Sequence, residues 1–201
     1  MKDLEGRLHA AAPPAAVPPD ASLEAWRRRA AAEGLLDVAY AAMDSPLGPL
    51  TVFVTPAGLL RLSYPDDPIE RQLTDVATRI SPRVVRAPER TDAVRRQLDD
   101  YFERRRRRFE VAIDWRLVRG FAADVLRATA RVPYGRVTNY RDVAAAAGSP
   151  RGARAAGNAL GSNPIPIVVP CHRVVHADGG LGGYTGGLPR KEFLLALEGA
   201  R

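Results

Sequence analysis

A chain of 201 residues, 46% hydrophobic and 26% charged, is long enough to bury a core in one or two domains and too apolar to be disordered throughout. Its one cysteine excludes an internal disulfide and a multi-thiolate zinc site, and no stretch approaches the ~20 apolar residues that span a bilayer. The net charge of +7 lies on one half: residues 116–201 carry 12 basic and 5 acidic side chains, while the first 115 balance at 18 of each. Either a polyanionic partner, nucleic acid most simply, or an arginine-rich composition accounts for that asymmetry, since 28 of the 30 cations are Arg.

Residues 1–35 are rich in Ala and Pro, and "PPAAVPP" followed by "SLEAWRRRAAAEG" reads as a mobile tail and one short helix, with Trp26 as its docking residue. Asp3 and Glu5 stand where a secretory signal needs cations, so a soluble cytoplasmic protein is expected. From Val38, "VAYAAMDSPLGPLTVFVTPAGLLRLSYP" alternates apolar runs with turn sequences and predicts an antiparallel meander of three strands. "DPIERQLTDVATRI" and "TDAVRRQLDDYFERR" follow as helices; the second puts Val94, Leu98, Tyr101 and Phe102 on one face, with Thr91 as N-cap. "FEVAIDW" predicts a returning strand. The run Arg104 to Arg108 sits among Asp99, Asp100, Glu103 and Glu110 and reads as a solvated helix end. Residues 36–115 thus form an α+β domain without a chemical motif.

In the basic half, 116–201, Phe121, Val125, Ala128 and Val132 make a helical stripe. "NYRDVAAAAG" predicts a helix capped by Asn139, with Asp142 in its first turn and Gly148 as its stop. A second helix is expected to restart at once, with Ser149 as N-cap, Pro150 first in the helix and Gly161 at its end. Two helices joined by a turn of about three residues fit a helix-turn-helix and equally an ordinary helical hairpin. Gly152, Ala153, Ala155, Ala156, Gly157 and Ala159 leave the second helix almost bare, apart from Arg151 and Arg154. Such a surface suits close approach to a nucleic-acid groove with little base discrimination. Arg154 fits two roles there, a wedge into an emptied base position or a phosphate contact.

"NPIPIVVPCHRVV" reads as a buried extended segment that delivers Cys171 to the edge of a pocket. Burial alone raises a thiol pKa and leaves it inert, so a nucleophile needs a base nearby. His172 is that candidate, reached through a bend or a water because extended neighbours point to opposite faces. A buried structural cysteine is the other reading. The glycine-rich "DGGLGGYTGG" fails both phosphate-binding fingerprints and suits a flexible pocket rim around Tyr184. "LPRKEFLLALEG" predicts a helix ending in Glu198, an acid placed against the helix dipole and hence a candidate to orient a histidine.

The order and spacing of "VPYGRVTNY", "ARAAGNALGSNP", "PCHRV", "GGYTGG" and "RKEFLLALEG" resemble the O6-alkylguanine-DNA alkyltransferases, the methylated-DNA-protein-cysteine methyltransferases. The resemblance implies a small ribonuclease-H-like domain followed by a winged helix-turn-helix domain. Its partner would be double-stranded DNA carrying O6-alkylguanine, bound in the minor groove by a monomer without cofactor, with the damaged base flipped out. By that resemblance Cys171 attacks the alkyl carbon, His172 removes its proton through a water, Glu198 polarises His172, and Asn163 ties the segments of the site together. Tyr140 crowds the phosphate or protonates the leaving guanine, and Arg154 fills the vacated stack. Arg151, Ala153, Ala155 and Gly157 join Tyr140 and Arg154 on the DNA face. Tyr184, Thr185, Lys191, Val174 and Pro166 border the guanine pocket. The product is S-alkylcysteine, so each molecule reacts once. Cooperativity, alkyl-size preference and acceptance of O4-alkylthymine are left open.

Relatives that hold zinc in the first domain use Cys and His there; this chain has only His9 before His172, so no metal is expected. Branches that merely bind lesions replace the nucleophile, which is present here. A redox-sensing DNA-binding regulator is the competing function, but it gives no role to Asn163, His172, Glu198 and Tyr140 together.

Overall fold

Strands β1 (Val38–Met43), β2 (Leu50–Thr55) and β3 (Gly58–Ser63) run as the expected antiparallel meander. A computed structural model describes residues 36–200 and, before them, Ala25 and Arg29; the tail and helix read into residues 1–35, Trp26 included, otherwise lie outside the described residues. Helix α1 (Ile69–Arg79) leads to a short strand β4 (Val84–Arg86), which pairs parallel with β1 and completes the sheet order β3-β2-β1-β4. The sequence reading missed β4. Three residues are too few for a period-two pattern to show.

Helix α2 (Pro88–Phe102) packs on this sheet through Val94, Leu98 and Tyr101, all buried. Thr91 is not its N-cap: the helix opens one turn earlier with proline at its first position, and the Thr91 hydroxyl donates to the Pro88 carbonyl at 2.8 Å. The expected strand in "FEVAIDW" reduces to one bridge, Leu59 to Ile113, beside β3. The arginine run follows the helix as a turn, with Arg104 at φ 60° and Arg105 and Arg106 within ion-pair distance of Asp100.

The basic half contributes α3 (Gly120–Thr129), α4 (Tyr140–Ala146), α5 (Ala153–Gly161) and α6 (Leu188–Leu197), with a two-stranded parallel pair of β5 (Thr138–Asn139) and β6 (Val174–Val175). Asn139 caps α4 as expected, accepting from the Arg141 and Asp142 amides. Ser149 does not cap α5. Gly148 takes φ 85° and the Ser149 amide closes α4 by donating to the Ala144 carbonyl, so Pro150 to Gly152 form a turn and α5 begins at Ala153. The connection is therefore longer than the three residues expected.

The outer edge of β3 is where the two halves join. Leu62 N donates to the Pro164 carbonyl of the second half at 2.9 Å, while Leu59 N, on the same edge, donates to the Ala112 carbonyl of the first at 2.8 Å. The apolar segment that follows is buried but not extended: Ile167 adopts φ 72° and Cys171–Arg173 form a 3-10 turn. Prolines 164, 166 and 170 remove amide donors that a strand would need, which explains the departure.

Gly58 shows how tightly this edge is drawn. A Cβ there would lie 2.2 Å from the Ala112 carbonyl oxygen, and φ is 133°. Gly58→Ala should therefore destabilise the protein by about 2 kcal/mol or more, read as a lower midpoint in urea with the slope unchanged.

Candidate active site

Cys171 opens onto a cavity of about 470 Å³ lined also by Tyr140, Arg154, Gly157, His176, Tyr184 and Thr185. The thiol is 5% exposed and its Sγ accepts from Asn163 Nδ2 at 3.1 Å. Asn163 also donates to the Val169 carbonyl and accepts from the Ile165 amide, so one buried amide spans the whole turn before the cysteine. Burial pushes the thiol up to about 11, against the Asn163 hydrogen bond and the Lys191 charge, which favour the thiolate. At neutral pH the resting sulfur is protonated.

His172 is wholly buried on the same 3-10 turn. Its Nε2 lies 2.9 Å from Glu198 Oε1. An ionised carboxylate only accepts, so Nε2 carries the hydrogen and Nδ1 keeps the lone pair. That Nδ1 is buried without a hydrogen-bond partner among the described residues. Burial lowers the histidine's pKa in spite of Glu198, leaving the ring neutral.

Glu198 follows directly on the end of α6 and is the hub of this cluster. Besides His172 it accepts from Arg173 Nε and Nη2, both at 2.8 Å, from Tyr101 Oη at 2.6 Å and from the Gly135 amide at 3.2 Å. Burial disfavours its charge, but the hydrogen bonds from His172 and Arg173 and the charge of the guanidinium outweigh that cost and hold the carboxyl at about 2. The sequence pointed to Glu198 and His172 and missed Arg173 and Tyr101. Arg173 adjoins the histidine in "PCHRV", whereas Tyr101 lies 97 residues from Glu198 and gave no local signal.

Of the residues assigned to the pocket border by resemblance, Tyr184 and Thr185 line the cavity; Lys191, Val174 and Pro166 do not. Lys191 is buried behind the wall, where Nζ donates to the carbonyls of Val174, Leu181 and Gly183. It ties the glycine-rich loop to β6 because a buried ammonium must spend its three donors on acceptors. Val174 is fully buried in the core and Pro166 faces a different groove. On α5, Arg154 and Ala155 are exposed, as is Arg151 just before it. Gly157 lets the helix approach the Tyr140 ring, its Cβ position lying 3.7 Å away. The loop presses on Tyr140 from the other side, where a Cβ on Gly182 would lie 2.5 Å from the hydroxyl.

The depressed carboxyl makes stability depend on pH. A group held below its unfolded value contributes fully above about pH 4.5 and loses that contribution as the pH falls toward about 2. Unfolding free energy should therefore drop across that window, by on the order of 3 kcal/mol from this group. Glu198→Gln should flatten that part of the curve and cost about 3 kcal/mol or more at neutral pH, because Arg173 stays buried without its counter-charge. Urea unfolding at a series of pH values measures both.

Comparison with known proteins identifies the family. The profile of the 6-O-methylguanine DNA methyltransferase ribonuclease-like domain matches residues 38–115, and that of its DNA binding domain matches residues 120–200. A methylated-DNA–protein-cysteine methyltransferase from Mycolicibacterium paratuberculosis is 41% identical over 80% of this chain and 92% of its own length. One from Methanosarcina acetivorans is 35% identical over 80% and 98%. Among solved structures, the O6-methylguanine methyltransferase of Mycobacterium tuberculosis superposes with a TM-score of 0.69 at 38% identity, covering 82% of this chain and 94% of that one. The same organism's OGT in complex with DNA gives 0.69 at 36%, over 81% and 93%. With both domain profiles matched and relatives aligned over nearly their full length, the chain belongs to the methylated-DNA–protein-cysteine methyltransferase family, with its ribonuclease-like domain followed by a helical DNA-binding domain.

Proposed function

We propose that this protein repairs DNA by direct reversal, transferring the alkyl group of O6-alkylguanine onto Cys171 once per molecule. The observation that carries the reading is the disposition of one 3-10 turn. Cys171 faces the cavity, while the adjacent His172 holds a buried lone pair on Nδ1 and anchors its other nitrogen to Glu198. A water between Sγ and Nδ1 would carry the thiol proton to the imidazole, and the resulting imidazolium would face an ionised carboxylate. The sulfur lone pair then attacks the alkyl carbon, the C–S bond forms, and the C–O6 bond breaks. The guanine anion takes a proton, for which the Tyr140 hydroxyl at the cavity mouth is the candidate donor. No group in the site returns the thioether to a thiol.

Residues 36–115 act in this reading as the ribonuclease-like support, and 116–201 as the DNA-binding and alkyl-acceptor domain. We assign α5 to the minor groove of duplex DNA, whose narrowness favours its small residues, with Arg154 entering the stack in place of the extruded base. The protein would act as a monomer in the cytoplasm. Among the described residues no helix is long and apolar enough to cross a membrane, and the excess cations of the second half favour a phosphate backbone.

Incubation with an O6-methylguanine duplex should leave one methyl group on Cys171, seen by mass spectrometry, and no turnover beyond one equivalent. Cys171→Ser should keep lesion binding and lose transfer; loss of DNA affinity as well would make the thiol structural. Affinity should fall steeply with salt, and Arg154→Ala should weaken base extrusion, read by a fluorescent base analogue, more than duplex binding. An equal loss on undamaged duplex would reduce Arg154 to a phosphate contact.

A further inference from the structure

Tyr184 lines the cavity beside Cys171, yet its hydroxyl is held from the other domain. Tyr64, just past the end of β3, places its Oη 2.6 Å from that of Tyr184, and the two rings meet edge to face. Burial keeps both phenols protonated. Gly186 fits between them: a Cβ there would lie 2.6 Å from the Tyr64 ring and 2.9 Å from that of Tyr184. Arg190 covers the far face of Tyr64, with Cζ 4.7 Å from the ring centroid, while pairing with Asp66 and donating to the Gly186 carbonyl at 2.8 Å. Tyr64 is 7% exposed and does not line the cavity itself.

We infer that Tyr64 is a positioning residue for alkyl transfer, through which the ribonuclease-like domain fixes the Tyr184 wall and thereby sets which alkyl groups fit beside Cys171. The inference rests on Cys171 being the alkyl acceptor. Tyr184 borders the space that the group on O6 must occupy, and the placement of its ring decides how closely a small group is held against the sulfur. A methyl group depends on that close placement, because in-line attack tolerates little misplacement. A benzyl group fills the space by itself and depends on it less.

The test compares transfer rates from O6-methylguanine and O6-benzylguanine in the same duplex. Tyr64→Phe deletes one hydroxyl and no ring. It should slow methyl transfer about tenfold and benzyl transfer by no more than about threefold, raising the benzyl-to-methyl ratio, with affinity for undamaged duplex unchanged. Arg190→Gln loosens the same clamp from outside the cavity and should move the ratio in the same direction, so the test stands even if Tyr64→Phe folds poorly. A merely structural role would lower the melting temperature or the active fraction and leave the ratio where it was. An unchanged ratio in the variants, with the unsubstituted protein active on both substrates, overturns the role of Tyr64 and leaves Cys171 as acceptor. Failure of the unsubstituted protein to transfer either group overturns both.

Discussion

A fully buried carboxylate that accepts five hydrogen bonds is the constraint around which the site is organised. Removing such a charge from water costs several kcal/mol, and only close, well-directed donors offset that. Arg173 supplies the balancing charge through two contacts, so His172 has no need to be protonated at rest. Burial then wins over the attraction of Glu198 and keeps the imidazole neutral. The same burial keeps the thiol protonated. In the proposed reaction the chemistry is therefore latent: the proton would have somewhere to go, but would move only when a consuming electrophile makes the thiolate worth forming.

The first domain takes part in this arrangement at several points although it carries no motif of its own. The β3 edge holds the Pro164 carbonyl, Tyr101 reaches from α2 to the Glu198 carboxylate, and Tyr64 meets Tyr184. Each contact ends on a residue that fixes the cysteine turn, the carboxylate or the cavity wall. A sheet edge is a good place for such work, since its unpaired amides must find acceptors outside the sheet.

Where local rules governed the structure, the sequence was readable. The meander, the Asn139 cap and the Gly148 stop all follow from residue types at short spacing. Errors arose where a tertiary demand or a neighbouring element overrode them. Ser149 looks like a cap, but it is drawn into the end of the previous helix and the next one starts four residues later, at Ala153. The run before Cys171 has the β-branched residues of a strand, and three prolines with a left-handed Ile167 make it a turn. In the site, Cys171, His172, Glu198 and Asn163 stood out, and they do converge. Lys191 was misplaced because proximity along a motif does not say on which side of a wall a side chain emerges. Tyr101 was legible only as a core residue of its helix and Tyr64 not at all, since the contacts that bring them to the site cross about 100 residues.

Glu198 comes 26 residues after His172, just past α6. During synthesis the cysteine turn and its arginine are polymerised before the carboxylate that completes them. The first domain, made earlier, can already be folded, but the interior around Cys171 cannot close on an unbalanced guanidinium. Closure of the cysteine turn therefore waits on one C-terminal residue, and a chain truncated just before Glu198 should keep its sulfhydryl open to solvent.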